Sequence, residues 1–221
     1  MDRSEYLERW SRLHGGARPA GLVGWWLGIS HRVAVPLVRL GAGPDVVTVA
    51  GLLVALAVTA PAAAGGRWAL LAAALVVASA LLDTLDGAVA VMTGRTTRWG
   101  FVLDSACDRV ADAAYVVALV LVGGPGWLGA AGAGLALLHE YVRARAAAAG
   151  MTEIGVVTVS ERPTRVIVTA AFLLGAGLYP SAAGLWAAAG TAAWTTLGLV
   201  GLVQLAVVVH RRLAGAPPLP S

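Results

Sequence analysis

Five of the seven aspartates in this 221-residue chain fall between positions 83 and 112: Asp83, Asp86, Asp104, Asp108 and Asp112. The first pair is spaced i, i+3 and the other three i, i+4, i+8. On helices, each set shares one face. The turn TGRTTR (93–98) between them reverses the chain, so the two faces can meet. The flanks, LLAAALVVASALL and AAYVVALVLV, are suited to lipid. A charge near a membrane-helix centre costs about 2.5–3.5 kcal/mol on insertion scales. The nearby cations Arg95, Arg98 and Arg109 are fewer than the carboxylates. Simple Asp–Arg pairing between helices would leave the shared spacing of the carboxylates unexplained. Oxygen-only ligation suits hard divalent cations, Mg²⁺ or Mn²⁺. The carboxylates suffice for two ions, a recurring clamp in phosphoryl chemistry. Gly87 and Gly100 clear side chains from the same region, so that a ligand or a second backbone can approach.

The rest of the chain is membrane-like. It is 58% hydrophobic and 13% charged, with mean hydropathy +0.78. So few charges are rare in a soluble domain of this length. All sixteen basic residues are Arg, and the net charge of +4 does not call for nucleic acid. In membrane proteins Arg marks cytoplasmic loops and binds phosphate. A single cysteine, Cys107, excludes an internal disulfide and reads as a small buried residue.

Residues 1–20 are polar, with a helical pattern in Tyr6, Trp10 and Leu13, and lack the apolar stretch of a signal peptide. Residues 21–40 combine Trp25 and Trp26 with His31, Arg32 and Arg39. That mixture predicts an amphipathic helix lying in the membrane interface, kinked at Pro36. Gly41, Gly43 and Pro44 then break the chain, and Pro44 and Asp45 suit the first turn of a new helix. Six apolar spans follow, at roughly 46–62, 68–92, 99–122, 127–148, 163–178 and 183–209. The expected fold is an all-α membrane protein, with six transmembrane helices behind an N-terminal interfacial amphipathic helix. Three segments are expected: 1–42, interfacial or cytoplasmic; 43–212, the six-helix domain; and 213–221, a Pro-rich tail.

The pattern Asp83-x2-Asp86-Gly87-x2-Ala90-x9-Gly100-x3-Asp104-x3-Asp108 resembles the signature of the CDP-alcohol phosphotransferases. Within that family the likeness is to actinobacterial phosphatidylinositol-phosphate synthases. It extends to GPDVVT (43–48), TRWGFVLDSACDR (97–109), YVRARAAAAG (141–150) and ERPTR (161–165). The resemblance implies a six-helix membrane enzyme, a homodimer, that moves a phosphatidyl group from CDP-diacylglycerol to an alcohol and releases CMP. It implies that Asp83, Asp86, Asp104 and Asp108 hold two Mg²⁺ or Mn²⁺ ions, with Asp108 also the general base. Asp45, Val46, Val47, Thr48, Gly87 and Thr97 match positions that contact the CDP-alcohol. Val91 stands where the family usually carries Arg, and Arg95 and Arg98 on the following turn are placed to substitute. Asp112 lies outside the signature, as a neighbour or an Arg partner.

Arg143, Arg145, Arg162 and Arg165 cluster at the expected cytoplasmic ends of the fourth and fifth spans, and Arg pairs suit bidentate phosphate recognition. By resemblance, Arg143 and Arg165 match positions that grip the phosphate of inositol phosphate. A phosphorylated polyol such as inositol phosphate is therefore the expected acceptor, with glycerol phosphate, another polyol phosphate or a lipid alcohol as the alternative. His139 and Glu140 are adjacent, point apart on a helix, and make a poor metal pair. Two other classes also use acidic residues in membranes. A divalent-cation transporter would place them near the midplane or in inverted repeats. A membrane prenyltransferase would need a second Asp-rich motif, yet the fourth to sixth spans contain no Asp.

Alternating the loops puts fifteen of the sixteen Arg on one side, counting the adjoining helix ends, and Arg67 alone on the other. The positive-inside rule places both termini and the aspartates on the cytoplasmic side of the cell membrane. A reporter fused at Ser221 is expected to read as cytoplasmic, and a periplasmic signal would overturn this topology.

Overall fold

A computed structural model describes residues 1–13, 21–151 and 158–214. His14, the Trp26 side chain, residues 152–157 of the 149–161 loop and the tail beyond Ala214 lie outside the described residues. All regular structure among the described residues is helical. The helices are α1 (Arg3–Leu13), α2 (Gly21–Arg39), α3 (Pro44–Ala57), α4 (Thr59–Ala64), α5 (Trp68–Thr93), α6 (Arg98–Val122), α7 (Gly126–Ala148), α8 (Arg162–Leu178) and α9 (Ala183–Leu213). A 3₁₀ turn at Pro180–Ala182 precedes α9.

Helix is found at each of the six expected segments, with one difference. The first segment is two helices, and Pro61 supplies the reason. A proline ring cannot donate to the carbonyl four residues back, here that of Ala57, where α3 ends. Pro44–Ala64, Trp68–Thr93 and Pro180–Leu213 are long and apolar enough to cross a membrane. At 17 residues, α8 rises only about 26 Å, and α6 carries Asp104, Asp108, Arg109 and Asp112. Many large apolar side chains point outward, among them Leu53, Trp68, Phe101, Trp127, Ile167 and Leu185. Such a surface belongs in lipid.

The chain divides into two compact units, Met1–Ala55 with Val77–Val110 and Leu56–Val76 with Ala111–Ser221. In the first, Asp2 starts α1 by accepting the backbone N–H of Glu5 at 2.8 Å. Tyr6 of α1 is buried with Leu27, Ala34, Val47, Leu85 and Val89. Its ring meets that of His31 at 5.3 Å, and Arg9 donates to the Val91 carbonyl at 3.0 Å. α1 is thus fastened both to α2 and to the end of α5. At Gly94, φ is +70°, and the N–H of Arg95 reaches back to the Ala90 carbonyl at 3.1 Å. This left-handed ending stops α5 and turns the chain toward α6.

The second unit is held by close helix crossings that small residues permit. The Trp194 indole of α9 donates to Thr169 of α8 at 2.9 Å. Thr195 of α9 donates to the Leu128 carbonyl of α7 at 2.9 Å. A Cβ added at Gly177 would lie 2.7 Å from the backbone nitrogen of Leu70. That nitrogen belongs to a helix and cannot yield cheaply. Gly177→Ala is therefore expected to destabilise the detergent-solubilised protein by about 1–3 kcal/mol, read as a lower thermal midpoint. Gly134→Ala, where an added Cβ meets nothing within 4 Å, should leave the midpoint unchanged or raise it.

Candidate active site

The first unit brings Asp83, Asp104 and Asp108 together, with one carboxylate oxygen of each within 4.8 Å of the others. All three are half-buried. The spacing read from sequence is realised: Asp83 lies in the second half of α5, and Asp104 and Asp108 lie one turn apart on α6. Arg109 approaches Asp108 at 3.5 Å, a long contact. Three like charges so close repel one another, and a hard cation among them relieves that cost. The donor set therefore fits Mg²⁺ or Mn²⁺.

Asp86 stands apart from this trio. It is buried, and its Oδ2 accepts the Thr48 hydroxyl at 2.6 Å. Thr48 and Asp86 belong to the wall of a cavity of about 250 Å³ that Asp45, Gly87, Thr97, Arg95 and Asp104 also line. Asp104 is thus common to the cavity and the carboxylate trio. A Cβ on Gly87 would meet nothing within 4 Å, so its bare backbone leaves this space open. At Gly100 the space is tight. A Cβ there would lie 3.1 Å from Thr97 Oγ1 and 3.4 Å from Asp45 Oδ1. Thr97 also caps α6, its hydroxyl accepting the Gly100 N–H at 2.9 Å.

Of the run 45–48, only Asp45 and Thr48 present side chains to the cavity. Val46 is exposed and Val47 sits in the core. A helix turns about 100° per residue, so consecutive positions do not share a face. Val91 also faces the core, and Arg95 supplies the guanidinium of the cavity wall. Arg98 is exposed at the start of α6. Thr96 and Phe101 line the cavity too. They had no signal in the sequence beyond their place beside Thr97 and Gly100.

The expected acceptor arginines lie in the second unit. Arg165 is buried and gives Nη1 to Asp112 at 2.5 Å and Nη2 to Glu140 at 2.8 Å. Asp112 is thereby an arginine's partner. Arg143 pairs with Glu161 at 2.5 Å, Arg162 is half-buried and Arg145 is exposed. Glu161 Oε1 also accepts the N–H and the hydroxyl of Thr158, at 2.9 and 3.0 Å. His139 is fully buried. Its Nε2 lies 3.0 Å from Thr158 Oγ1, and its Nδ1 lies 3.5 Å from Glu140 Oε1. Sequence reasoning missed Glu140, Thr158 and Glu161 as participants, because their partners lie 18 to 25 positions away. The one available signal was the adjacent His139-Glu140 pair.

Residues 42–208 match the family model described as CDP-alcohol phosphatidyltransferase. The chain belongs to the CDP-alcohol phosphatidyltransferase family. It is 34% identical to the archaetidylinositol phosphate synthase of Methanothermobacter thermautotrophicus, over 84% of this chain and 88% of that one. It is also 34% identical to the phosphatidylinositol phosphate synthase of Mycobacteroides abscessus, over 82% of each. A crystal structure of Mycobacterium tuberculosis phosphatidylinositol phosphate synthase with CDP-DAG bound superposes with a TM-score of 0.68 at 27% identity. It covers 87% of this chain and 99% of that one. A second structure of that enzyme, with manganese and citrate, gives 0.70 at 26% identity over 86% and 93%. The protein is a metal-dependent transferase of phospholipid synthesis, and family membership removes the transporter and prenyltransferase readings.

Burial is the largest influence on the Glu161 carboxyl and raises its pKa. The Arg143 guanidinium and the Thr158 donors together outweigh it and hold the group below its ordinary value of 4.5. A carboxyl depressed by folding contributes stability above its unfolded pKa and loses it as pH falls through the folded one. The thermal midpoint of the wild type is therefore expected to fall as pH drops below about 4.5, and Glu161→Gln should flatten that part of the profile. An identical acid limb in the variant would remove Glu161 from the account.

Proposed function

We propose that this protein transfers the phosphatidyl group of CDP-diacylglycerol to a hydroxyl of inositol phosphate, releasing CMP. The observation that carries the reading is Asp104, shared by the cavity and the carboxylate trio. A donor held in the cavity then has its phosphates beside the carboxylates. The two curated relatives, named for different lipids, share inositol phosphate in the name of their product. Inositol phosphate is therefore favoured over glycerol phosphate as acceptor.

Each residue has a role in this reading. Asp45, Thr48 and Thr97 offer polar atoms to the head of the donor, with backbone from the 45–48 turn, and Gly87 leaves room for it. Arg95 meets the donor's phosphate charge. Asp83, Asp86, Asp104 and Asp108 hold divalent metal, two ions at full occupancy. Bound metal neutralises the pyrophosphate and the departing CMP. Asp108 takes the proton of the acceptor hydroxyl. Its oxygen attacks the lipid-side phosphorus, and the bond from that phosphorus to the CMP oxygen breaks, the electron pair leaving with CMP. Arg143, Arg145 and Arg162 form the basic region that recognises the acceptor's phosphate, with Arg165 anchoring it from within.

In the same reading the chain crosses the cell membrane six times, with α2 in the interface and the termini and catalytic residues cytoplasmic. It works as a homodimer. The segments are 1–42, 43–212 and 213–221.

Purified protein with CDP-diacylglycerol, Mg²⁺ or Mn²⁺ and a panel of acceptors should release CMP fastest with inositol phosphate. Faster release with glycerol phosphate would replace the acceptor and keep the reaction. Asp108→Asn should lower turnover by about 100-fold or more with helicity retained. Undiminished turnover in that variant would remove Asp108 as the base.

A further inference from the structure

The second unit contains a buried imidazole that the reaction above does not use. His139 has no exposed surface, yet both ring nitrogens face polar atoms. The Thr158 hydroxyl gives its hydrogen to Glu161 Oε1 at 3.0 Å. Its lone pair therefore faces His139 Nε2, also at 3.0 Å, and Nε2 carries the hydrogen of that bond. On the other side of the ring, Nδ1 lies 3.5 Å from Glu140 Oε1. That same oxygen accepts from Arg165 at 2.8 Å. Nδ1 makes no hydrogen bond, so the ring acts through Nε2 on the Thr158–Glu161–Arg143 assembly.

The two arginines differ in access. The Arg165 side chain is 4% exposed and both its terminal nitrogens are engaged. Those of Arg143 and Glu161 are 24% and 22% exposed, so a small anion can reach Arg143. We propose that His139 is a positioning residue for the acceptor's phosphate. It fixes Thr158 and so Glu161, which aims Arg143. The proposal rests on the reading that this basic region takes a phosphorylated acceptor.

The test uses full-length protein in detergent, with His139→Ala, His139→Gln and Thr158→Val. Three quantities are read: the rise in thermal midpoint caused by inorganic phosphate, the KM for inositol phosphate and the KM for CDP-diacylglycerol. His139→Ala should raise the acceptor KM about tenfold, the scale of losing an orienting partner, and abolish the phosphate response. The donor KM should stay within about twofold of wild type, since no donor contact is altered. His139→Gln retains an N–H that can reach Thr158 and should recover most of both effects. Thr158→Val keeps the shape and removes the hydroxyl, so it should reproduce the loss even where His139→Ala fails to fold. An unchanged acceptor KM and phosphate response in the Ala and Val variants would overturn the proposal. So would equal damage to both KM values, the mark of a packing role alone, or a wild type with no phosphate response. A wild type that responds to phosphate through His139 but does not turn over inositol phosphate would uphold the positioning role and defeat the acceptor reading, which separates the two.

Discussion

Mutual repulsion among Asp83, Asp104 and Asp108 is the constraint on which the first unit depends. Their oxygens lie within 4.8 Å of one another, and no chain holds three carboxylates there without fixing the helices that bear them. Much of the local sequence serves that purpose. Gly94 ends α5 in a left-handed turn, and Thr97 starts α6 with a cap, so the reversal between the two helices is short and defined. Gly100 lets Asp45 and Thr97 approach across a gap that a Cβ would narrow to 3.4 and 3.1 Å. Asp45, Thr97, Gly100 and Asp104 also line the cavity, so the cavity and the carboxylate cluster share one scaffold.

The aspartate cluster was legible in the sequence because helical periodicity is fixed by the backbone. A spacing of three, four or eight selects a face whatever surrounds it. Helix limits were legible for a similar reason, since Gly and Pro punctuate the chain through their own stereochemistry. The break at Val58 was missed because Pro61 sits inside an apolar run, and its effect falls four residues earlier. Rotation along α3 turns Val46 outward and Val47 into the core, while Asp45 and Thr48 face the cavity. Asp86 was grouped with the other aspartates, and its i, i+3 relation to Asp83 is real. Its hydrogen bond to Thr48 depends on the approach of α3, which no spacing along α5 reports.

The second unit was less legible, and the physical reason is the range of its contacts. Arg165 reaches Asp112 across 53 positions and Glu140 across 25. Neither pairing has a periodic trace. The arginines themselves were visible as a cluster, but a cluster does not show which guanidinium is spent internally. Burial decides that. Removing one partner from a buried ion pair costs about 3–5 kcal/mol, because the other charge is stranded. Arg165 is therefore an anchor first, and Arg143, paired nearer the surface, is the more available of the two.

Helix α6 carries the same residue type in two electrostatic settings. Asp104 and Asp108 sit among other carboxylates, and like charges at that distance favour any arrangement that brings a cation between them. Asp112, the next member of the i, i+4 series, is buried against the Arg165 guanidinium at 2.5 Å. Its charge is answered by the chain itself. A guanidinium is permanently protonated and planar, and it fixes a carboxylate without exchanging with solvent. A divalent ion can be bound, shared with substrate oxygens and released. The chain thus uses arginine where the carboxylate must only hold helices together. It leaves carboxylates clustered where a hard cation would answer the charge, and this division, more than the count of aspartates, separates the two ends of the series.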